Sequence, residues 1–552
     1  MMDWKYLAEN LFPYITETPE QLEARYPKRN LPEGAKVTRM GPSPTGFMHL
    51  GNLYGALVDE RLAHQSGGVF FLRIEDTDRK REVEGGVKTI IDAFSSFHLP
   101  FDEGATLEGE TGDYGPYRQS QRAEIYQTFV KSLIARGLAY PCFCTEEELA
   151  QAHAEQEKSK ENFGYYGKYA VWRDRTLEDI EIELEKGTPY VIRFRSEGSI
   201  ENKVRHDDLV KGKMEVTEND QDVVILKSDG LPTYHFAHVV DDHLMGTTVV
   251  VRGEEWLATL PVHLQLFRAL GWKTPKYAHT AQLMKIDEAT GGKRKLSKRK
   301  DPELALTYYA KEGYPAPCVL EYLMTLLNSN FEEWRRANPE APMNDFPFST
   351  KKMSGSGALF DIDKLKDVSK NVISHMSAEQ IYNDVSAWSQ QNDPDFHALF
   401  TRDPEKTRAF LNIGRGGKKP RKDIALWTDV KPYMDFLFDE LFQPDYTLPA
   451  HVSNADAKAI LHDFAASFDE NDTPDAFFDK MKTIAQAHGY AAETKAYKQN
   501  PEQYKGSVGD VSMVIRIAIA GRQNAPDLQS VMHIMGREQV LSRLEACKNA
   551  LN

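Results

Sequence analysis

Apolar residues recur along the chain at two spacings, and the changes between them outline its elements. Trp4, Leu7, Leu11 and Phe12 fall at roughly helical intervals, predicting one or two amphipathic helices within residues 3–27. A short apolar strand follows, with Val37, Arg39 and Met40 read as its exposed end. Pro42, Pro44 and Gly46 then punctuate a turn, and Leu53, Leu57 and Leu62 give the next helix a buried stripe that Gly67 and Gly68 stop. The run VFFLRIED (69–76) reads as a fully buried strand. Strand, helix and strand in such short compass imply a right-handed βαβ crossover and a parallel sheet, whose ligands sit beyond the carboxyl ends of the strands.

From residue 116 to 222 the pattern is mixed, with a charged helical stretch at 145–161 and an alternating strand at 188–196, as expected of an insertion. Residues 222–256 return to strand, turn, helix, turn and strand. Beyond residue 301 helices prevail, and from 375 amphipathic helical patterns dominate. The expected organisation is a helical extension (1–35), a first sheet half (36–115), an α+β insertion (116–222), a second sheet half (223–285), a loop and stem region (286–374) and an all-α region (375–552).

Composition adds bounds. A chain of 552 residues has room for three or four domains of about 100 to 200 residues. With 41% hydrophobic and 27% charged residues and no apolar run long enough for a bilayer, a water-soluble protein with no membrane partner is expected. The first residues lack the basic and apolar regions of a signal peptide, which predicts a cytoplasmic location. Four cysteines are too few for a disulfide scaffold and are expected as reduced thiols. A net charge of −15 argues against a nucleic-acid partner, but weakly, since local basic surface can steer a polyanion to a large acidic enzyme.

Candidate chemistry gathers at strand ends. In KVTRMGPSPTGFMHLGN (36–52), His49 and Asn52 fall in the first helical turn, where backbone N–H groups and the helix dipole favour an anion, and Gly51 leaves one face bare. A plain capping histidine is the alternative. Glu75, Asp76 and Asp78 end a buried strand beside that turn. Tyr234 follows a Leu-Pro-Thr turn and Arg252 ends an apolar strand, where a snorkelling arginine is the competing explanation. A glycine pair precedes six basic residues in GGKRKLSKRK (291–300), and Arg415, Lys418, Lys419, Arg421 and Lys422 form a second basic turn. Each basic run reads equally as a solvated face or a phosphate contact. Cys142 and Cys144 form a C-x-C pair, but two thiols fall short of the four ligands of a structural zinc site, and none is expected.

Taken together these strings resemble the glutamyl-tRNA synthetase family of class I aminoacyl-tRNA synthetases. PSPTG with HLGN is similar to the HIGH signature, RIEDTD and PTYHFAHVVDDHLMG to further family blocks, Lys295-Leu296-Ser297-Lys298-Arg299 to the KMSKS loop, and residues 508–544 to the closing helices of bacterial members. The resemblance covers residues 36–552. It implies an α/β fold: a Rossmann-type parallel-sheet catalytic domain with an α+β connective insertion, then an all-α anticodon-binding region. The implied reaction joins L-glutamate to tRNA-Glu through a glutamyl-adenylate, with tRNA-Gln an open alternative, ATP and Mg2+ as cofactors, and tRNA required for activation itself.

The resemblance also assigns residues. Arg39, Ser43, Glu75, Tyr234 and Arg252 surround glutamate, with His238 standing where the family often shows asparagine. Pro42, Thr45, Gly46, His49, Gly51, Asn52, Glu255, Leu283, Lys295, Leu296, Ser297, Lys298 and Arg299 are the ATP-site candidates, with His49, Asn52, Lys295 and Lys298 as catalytic groups. Arg415 and Arg421 are candidates for the anticodon, and a monomer is expected. Two rivals are a non-catalytic tRNA-binding relative, which would carry damage at His49, Lys295 or Lys298, and a small-molecule adenylyltransferase, which leaves the helical half unemployed.

Overall fold

The computed structural model describes residues 2–417 and 419–551. Two compact units divide the chain: Met1–Tyr308 with Leu320–Asp361, and Tyr309–Val319 with Ile362–Asn552. The first begins with helices α1 (Trp4–Leu11) and α2 (Pro19–Arg25), whose N-termini are capped by the Asp3 carboxylate and the Thr18 hydroxyl.

Strand β1 (Val37–Met40) leads through α3 (Leu50–His64) to β2 (Val69–Leu72). The two strands pair in parallel, Val37 opposite Val69 and Met40 opposite Leu72. After α4 (Gly86–Ser96), β3 (Glu103–Ala105) extends the sheet in parallel and β4 (Glu110–Thr111) closes it in antiparallel. The strand-helix-strand expectation is met, and its side chains explain it: Val37, Phe70, Phe71 and Leu72 are buried under Leu53, Leu57 and Leu62 of α3. Gly68 permits the closest approach, because a Cβ there would collide with the Lys36 carbonyl. One reading of the strand is corrected. Val37 and Arg39 are 2% and 4% exposed, so this end of β1 is interior.

The chain then forms α5 (Ala123–Ala135), β5 (Ala139–Cys142), α6 (Glu146–Ser159), α7 (Leu177–Glu185), β6 (Val191–Phe194), the hairpin β7 (Lys203–Asp208) and β8 (Gly212–Thr217), and β9 (Val224–Leu226). Strands β5, β6 and β9 make an antiparallel sheet of their own. The N-terminal segment is tied to α5 by Lys131, whose ammonium donates to the carbonyls of Phe12 and Ile15 at 3.1 and 2.8 Å.

Helix α8 (Tyr234–Leu244) precedes β10 (Val249–Gly253), α9 (Leu260–Leu270) and β11 (Lys276–Thr280), and β10 and β11 pair in parallel. This pair is fastened beside β1: the Thr248 backbone N–H donates to the Val37 carbonyl at 2.9 Å, and the Val37 N–H to Thr248 Oγ1 at 2.8 Å. The carboxyl ends of β1 and β10, bearing Arg39 and Arg252, therefore open in the same direction. Strand β12 (Leu283–Ile286) carries β13 (Lys293–Lys295) on one side in antiparallel and β14 (Ala358–Leu359) on the other in parallel.

The second unit is helical, from Ile362–His375 to Arg537–Ala550, around an apolar core that includes Ile373, Phe410, Trp427, Phe464, Ile515 and Leu544. Among the described residues no helix is long and apolar enough to cross a membrane. An α/β first unit followed by helices is the expected fold class.

Candidate active site

A cavity of about 1110 Å³ opens beyond the carboxyl ends of β1 and β10. Its lining brings together Arg39, Pro42, Ser43, His49, Gly51, Asn52, Glu75, Tyr234, Arg252, Glu255, Leu283, Lys295, Leu296 and Lys298. Elements separated by most of the first unit's length thus supply one wall each.

The turn after β1 is built by its small residues. Gly46 adopts φ +76°, and a Cβ at Gly41 would collide with the Glu75 carboxylate. His49 caps α3 in a reciprocal box: its Nδ1 accepts from the Asn52 backbone N–H at 3.2 Å, and Asn52 Oδ1 accepts from the His49 N–H at 3.0 Å. Because Nδ1 accepts, Nε2 carries the proton, leaving His49 a donor for an anion. Burial first, then Lys298, lower its pKa, so it serves as a neutral imidazole. Gly51 lines the cavity and is needed for a second reason, since a Cβ there would press against the imidazole at 3.0 Å.

The basic loop is held rather than loose. Arg294 pairs with Asp301 through two bonds of 2.6 and 2.7 Å, and the Ser297 N–H donates to the same carboxylate at 2.8 Å. Lys298 Nζ lies 3.8 Å from the centre of the Phe47 ring, and no partner within the protein occupies Lys295 Nζ among the described residues. Both lysines line the cavity with His49 and Glu255, and both are close enough to act on the charge of His49.

Behind Arg39 and Glu75 of the lining a buried ion network sets the charges. Asp242 accepts from Arg39 Nε at 3.0 Å and Arg73 Nη1 at 2.8 Å, and pairs with His238 Nδ1 at 2.6 Å. Burial works against its charge, but Arg39, Arg73 and His238 hold it well below the usual carboxylate range. Arg73 Nη2 also donates to Glu75 at 2.9 Å, and burial outweighs the two arginines to raise Glu75. Asp241 gathers Arg122, Gln119 and Tyr126 at 2.7, 2.9 and 2.8 Å. Arg252 is 8% exposed, lies 4.8 Å over the Tyr277 ring, and keeps a buried Nη2 with no partner. An orphaned donor pair at a cavity wall suits a carboxylate.

Several expected residues are placed elsewhere. His238 is fully buried behind Tyr234, stacked on it at 5.8 Å, and does not reach the cavity; it accepts from the Tyr277 hydroxyl at 2.9 Å and positions Asp242. Thr45, Gly46, Ser297 and Arg299 shape their loops without lining the cavity. Arg415 spends its guanidinium on the carbonyls of Leu411, Ile373 and Met376 at 2.6, 2.8 and 3.3 Å, a helix-end clamp rather than an open contact. Arg421 pairs with Asp423 and borders a second cavity, and Lys418 lies outside the described residues. Cys142 and Cys144 share the Tyr165 hydroxyl, each at 3.4 Å.

Residues that the sequence did not mark include Arg73, Asp241, Asp242, Trp256, His263 and His279. The available signal was the doublet Asp241-Asp242 inside an otherwise apolar helix, where both carboxylates are at most 1% exposed and must be paired.

A model described as the catalytic domain of class I tRNA synthetases (E and Q) matches residues 36–367, and one described as an anticodon binding domain matches residues 419–548. The glutamate–tRNA ligase of Acetivibrio thermocellus is 55% identical over 545 residues, covering 99% of this chain and 100% of that protein. The chain belongs to the glutamate–tRNA ligase family. Another family member, from Clostridium perfringens strain 13, is 49% identical over 548 residues, 98% of this chain and 100% of its own. Among solved structures, a glutamate tRNA ligase from Elizabethkingia meningosepticum in complex with its amino acid matches with a TM-score of 0.75 at 27% identity, covering 94% of this chain and 100% of that one.

Proposed function

We propose that the cavity joins L-glutamate to ATP and passes the glutamyl group to the terminal ribose of tRNA-Glu. The observation that carries this reading is one cavity lined by two interacting charged groups: His49 with Lys295 and Lys298, and Arg39 with Glu75, Tyr234 and Arg252. The first set suits a triphosphate and the second an amino acid with two carboxylates. Glu75 receives the α-ammonium, and Arg252, with an unpartnered donor edge, takes a carboxylate that an amide could replace only by turning its own N–H groups on a cation.

The glutamate α-carboxylate attacks the α-phosphorus in line, the bond to the β,γ-phosphates breaks, and pyrophosphate leaves. A ribose hydroxyl then attacks the acyl carbon and AMP departs. The protein's share is positioning and charge stabilisation: His49 Nε2–H and the two lysines bind charge growing on the phosphates. Mg2+ enters on the triphosphate. Glu255 in the cavity lining would be the carboxylate available to it, and phosphate oxygens and water would supply the remaining ligands. The enzyme works as a cytoplasmic monomer. The insertion meets the acceptor end, and Arg421, rather than Arg415, serves the anticodon.

The test is charging with labelled glutamate, glutamine and aspartate on tRNA-Glu and tRNA-Gln, alongside ATP–pyrophosphate exchange with and without tRNA. Glutamate alone should be transferred, and exchange should need tRNA. If neither tRNA is glutamylated, the reading is wrong; exchange without tRNA removes only the tRNA requirement.

A further inference from the structure

The surroundings of Arg252 fix the positions of several protons. A guanidinium offers donors only, so each ring nitrogen it meets must present a lone pair. Arg252 Nε donates to His279 Nε2 at 3.0 Å, and Nη1 donates to His263 Nδ1 at 3.0 Å. His279 therefore holds its proton on Nδ1, which donates to Asp208 Oδ2 at 2.6 Å. His263 holds its proton on Nε2, which donates to His235 Nδ1 at 3.0 Å. Asp208, His263 and His279 lie outside the cavity lining, so none of them reaches a ligand there.

Both imidazoles that grip Arg252 are fully buried and, with burial the leading cause, both are lowered in pKa, so the grip is neutral. Arg39 is held differently, by the Asp242 carboxylate, an ionic partner that it shares with Arg73. With Nε and Nη1 taken by neutral imidazoles, the unpartnered Nη2 is the donor edge left for a carboxylate.

We propose that Asp208, His279 and His263 are positioning residues for glutamate selectivity: they fix Arg252 through neutral, tautomer-specific acceptors, with the Asp208 carboxylate one ring removed, and so aim its remaining donor edge at the substrate carboxylate. The proposal rests on the glutamate reading of the cavity. Asp208 is its weak point, because Oδ1 already accepts from the backbone N–H groups of Val210 and Lys211, both at 2.9 Å, and of His279 at 3.2 Å. In Asp208→Asn the single amide oxygen stays with those three donors, and the NH2 turns to His279 Nδ1. The imidazole proton then moves to Nε2, where it opposes Arg252 Nε–H.

The experiment compares the full-length wild type with Asp208→Asn, His263→Ala, His263→Asn and Arg252→Ala in aminoacylation with glutamate and glutamine. Asp208→Asn and His263→Ala should raise the glutamate KM about 10- to 100-fold, the loss expected when a hydrogen bond to a charged group fails. The KM for ATP should stay at the wild-type value, and the preference for glutamate over glutamine should narrow. His263→Asn, whose side-chain oxygen can accept near the former Nδ1, should recover most of the affinity lost in His263→Ala. An unchanged glutamate KM in folded Asp208→Asn and His263→Ala, with Arg252→Ala impaired, overturns this proposal and leaves the glutamate reading standing. An unimpaired Arg252→Ala overturns both. Equal losses for glutamate and ATP, or no difference between the two His263 variants, mark a merely structural role and also overturn it.

Discussion

Arg39 and Arg252 sit at equivalent ends of neighbouring strands, yet their partners give them different work. Arg39 is paired with Asp242 and only its remaining N–H edge borders the cavity, whereas Arg252 has an unpaired buried donor. Arg252→Lys should therefore raise the glutamate KM at least tenfold, since a lysine cannot reproduce the planar fork that spans His279, His263 and a carboxylate. Glutamate titration of the initial charging rate measures this; a KM near the wild type contradicts it. Lys295→Ala should instead lower kcat by about 10² to 10³ with little effect on the glutamate KM, as for loss of a preorganised donor to a developing charge. Arg252, Tyr234, Glu75 and His49 were legible from sequence because each ends or begins an element facing the same sheet edge. Arg73, Asp242, His263 and His279 were not, because their meaning lies in partners far along the chain: Arg73 meets Asp242 and His279 meets Asp208 only after the sheet has formed.

Helix α3 and strand β2 show how an element's end can serve packing and chemistry at once. The reciprocal cap at His49 and Asn52 satisfies backbone donors of α3 while aiming Nε2–H at the cavity. His49→Ala should cost about 1 kcal/mol of stability and also lower kcat, whereas His49→Asn should keep the cap and the stability but still lose rate. Chemical unfolding and charging assays on both variants separate the two roles; equal stability losses would refute the capping account. At the start of β2, Gly68→Ala places a methyl against the Lys36 carbonyl and should destabilise the β1–β2 pair, read as a lowered melting temperature. The crossover was legible in the alternation of apolar stripes, but the burial of Arg39 was not, because an arginine at a strand end reads as solvent-facing until Asp242 is placed opposite it.

Across the whole molecule, the buried histidines govern how acid acts on the fold. His238 is fully buried, and burial, only partly opposed by Asp242, lowers its pKa to about 3. His263 and His279 are lowered in the same direction. An unfolded histidine titrates near 6.5, so below that pH the unfolded chain binds protons that the folded chain refuses. The stabilisation from each depressed histidine is complete above about pH 6.5 and drains away as pH falls towards its folded pKa, at up to about 1.4 kcal/mol per pH unit. Asp242, held far below its ordinary value, loses its contribution only at still lower pH, beneath about 3.9. His64 runs the other way: Glu60 and Asp102 raise it, so its contribution is present below about 6.5 and offsets a small part of the loss. Urea unfolding at pH 7, 6 and 5 should therefore show stability falling already across this range, where carboxylates of ordinary pKa stay ionised. His238→Asn, which removes one such proton acceptor, should flatten that slope even if its stability at pH 7 is lower. A slope unchanged by His238→Asn would show that the pKa of this imidazole is not depressed in the fold, and the assignment of a neutral His238 between Asp242 and the Tyr277 hydroxyl would have to be abandoned.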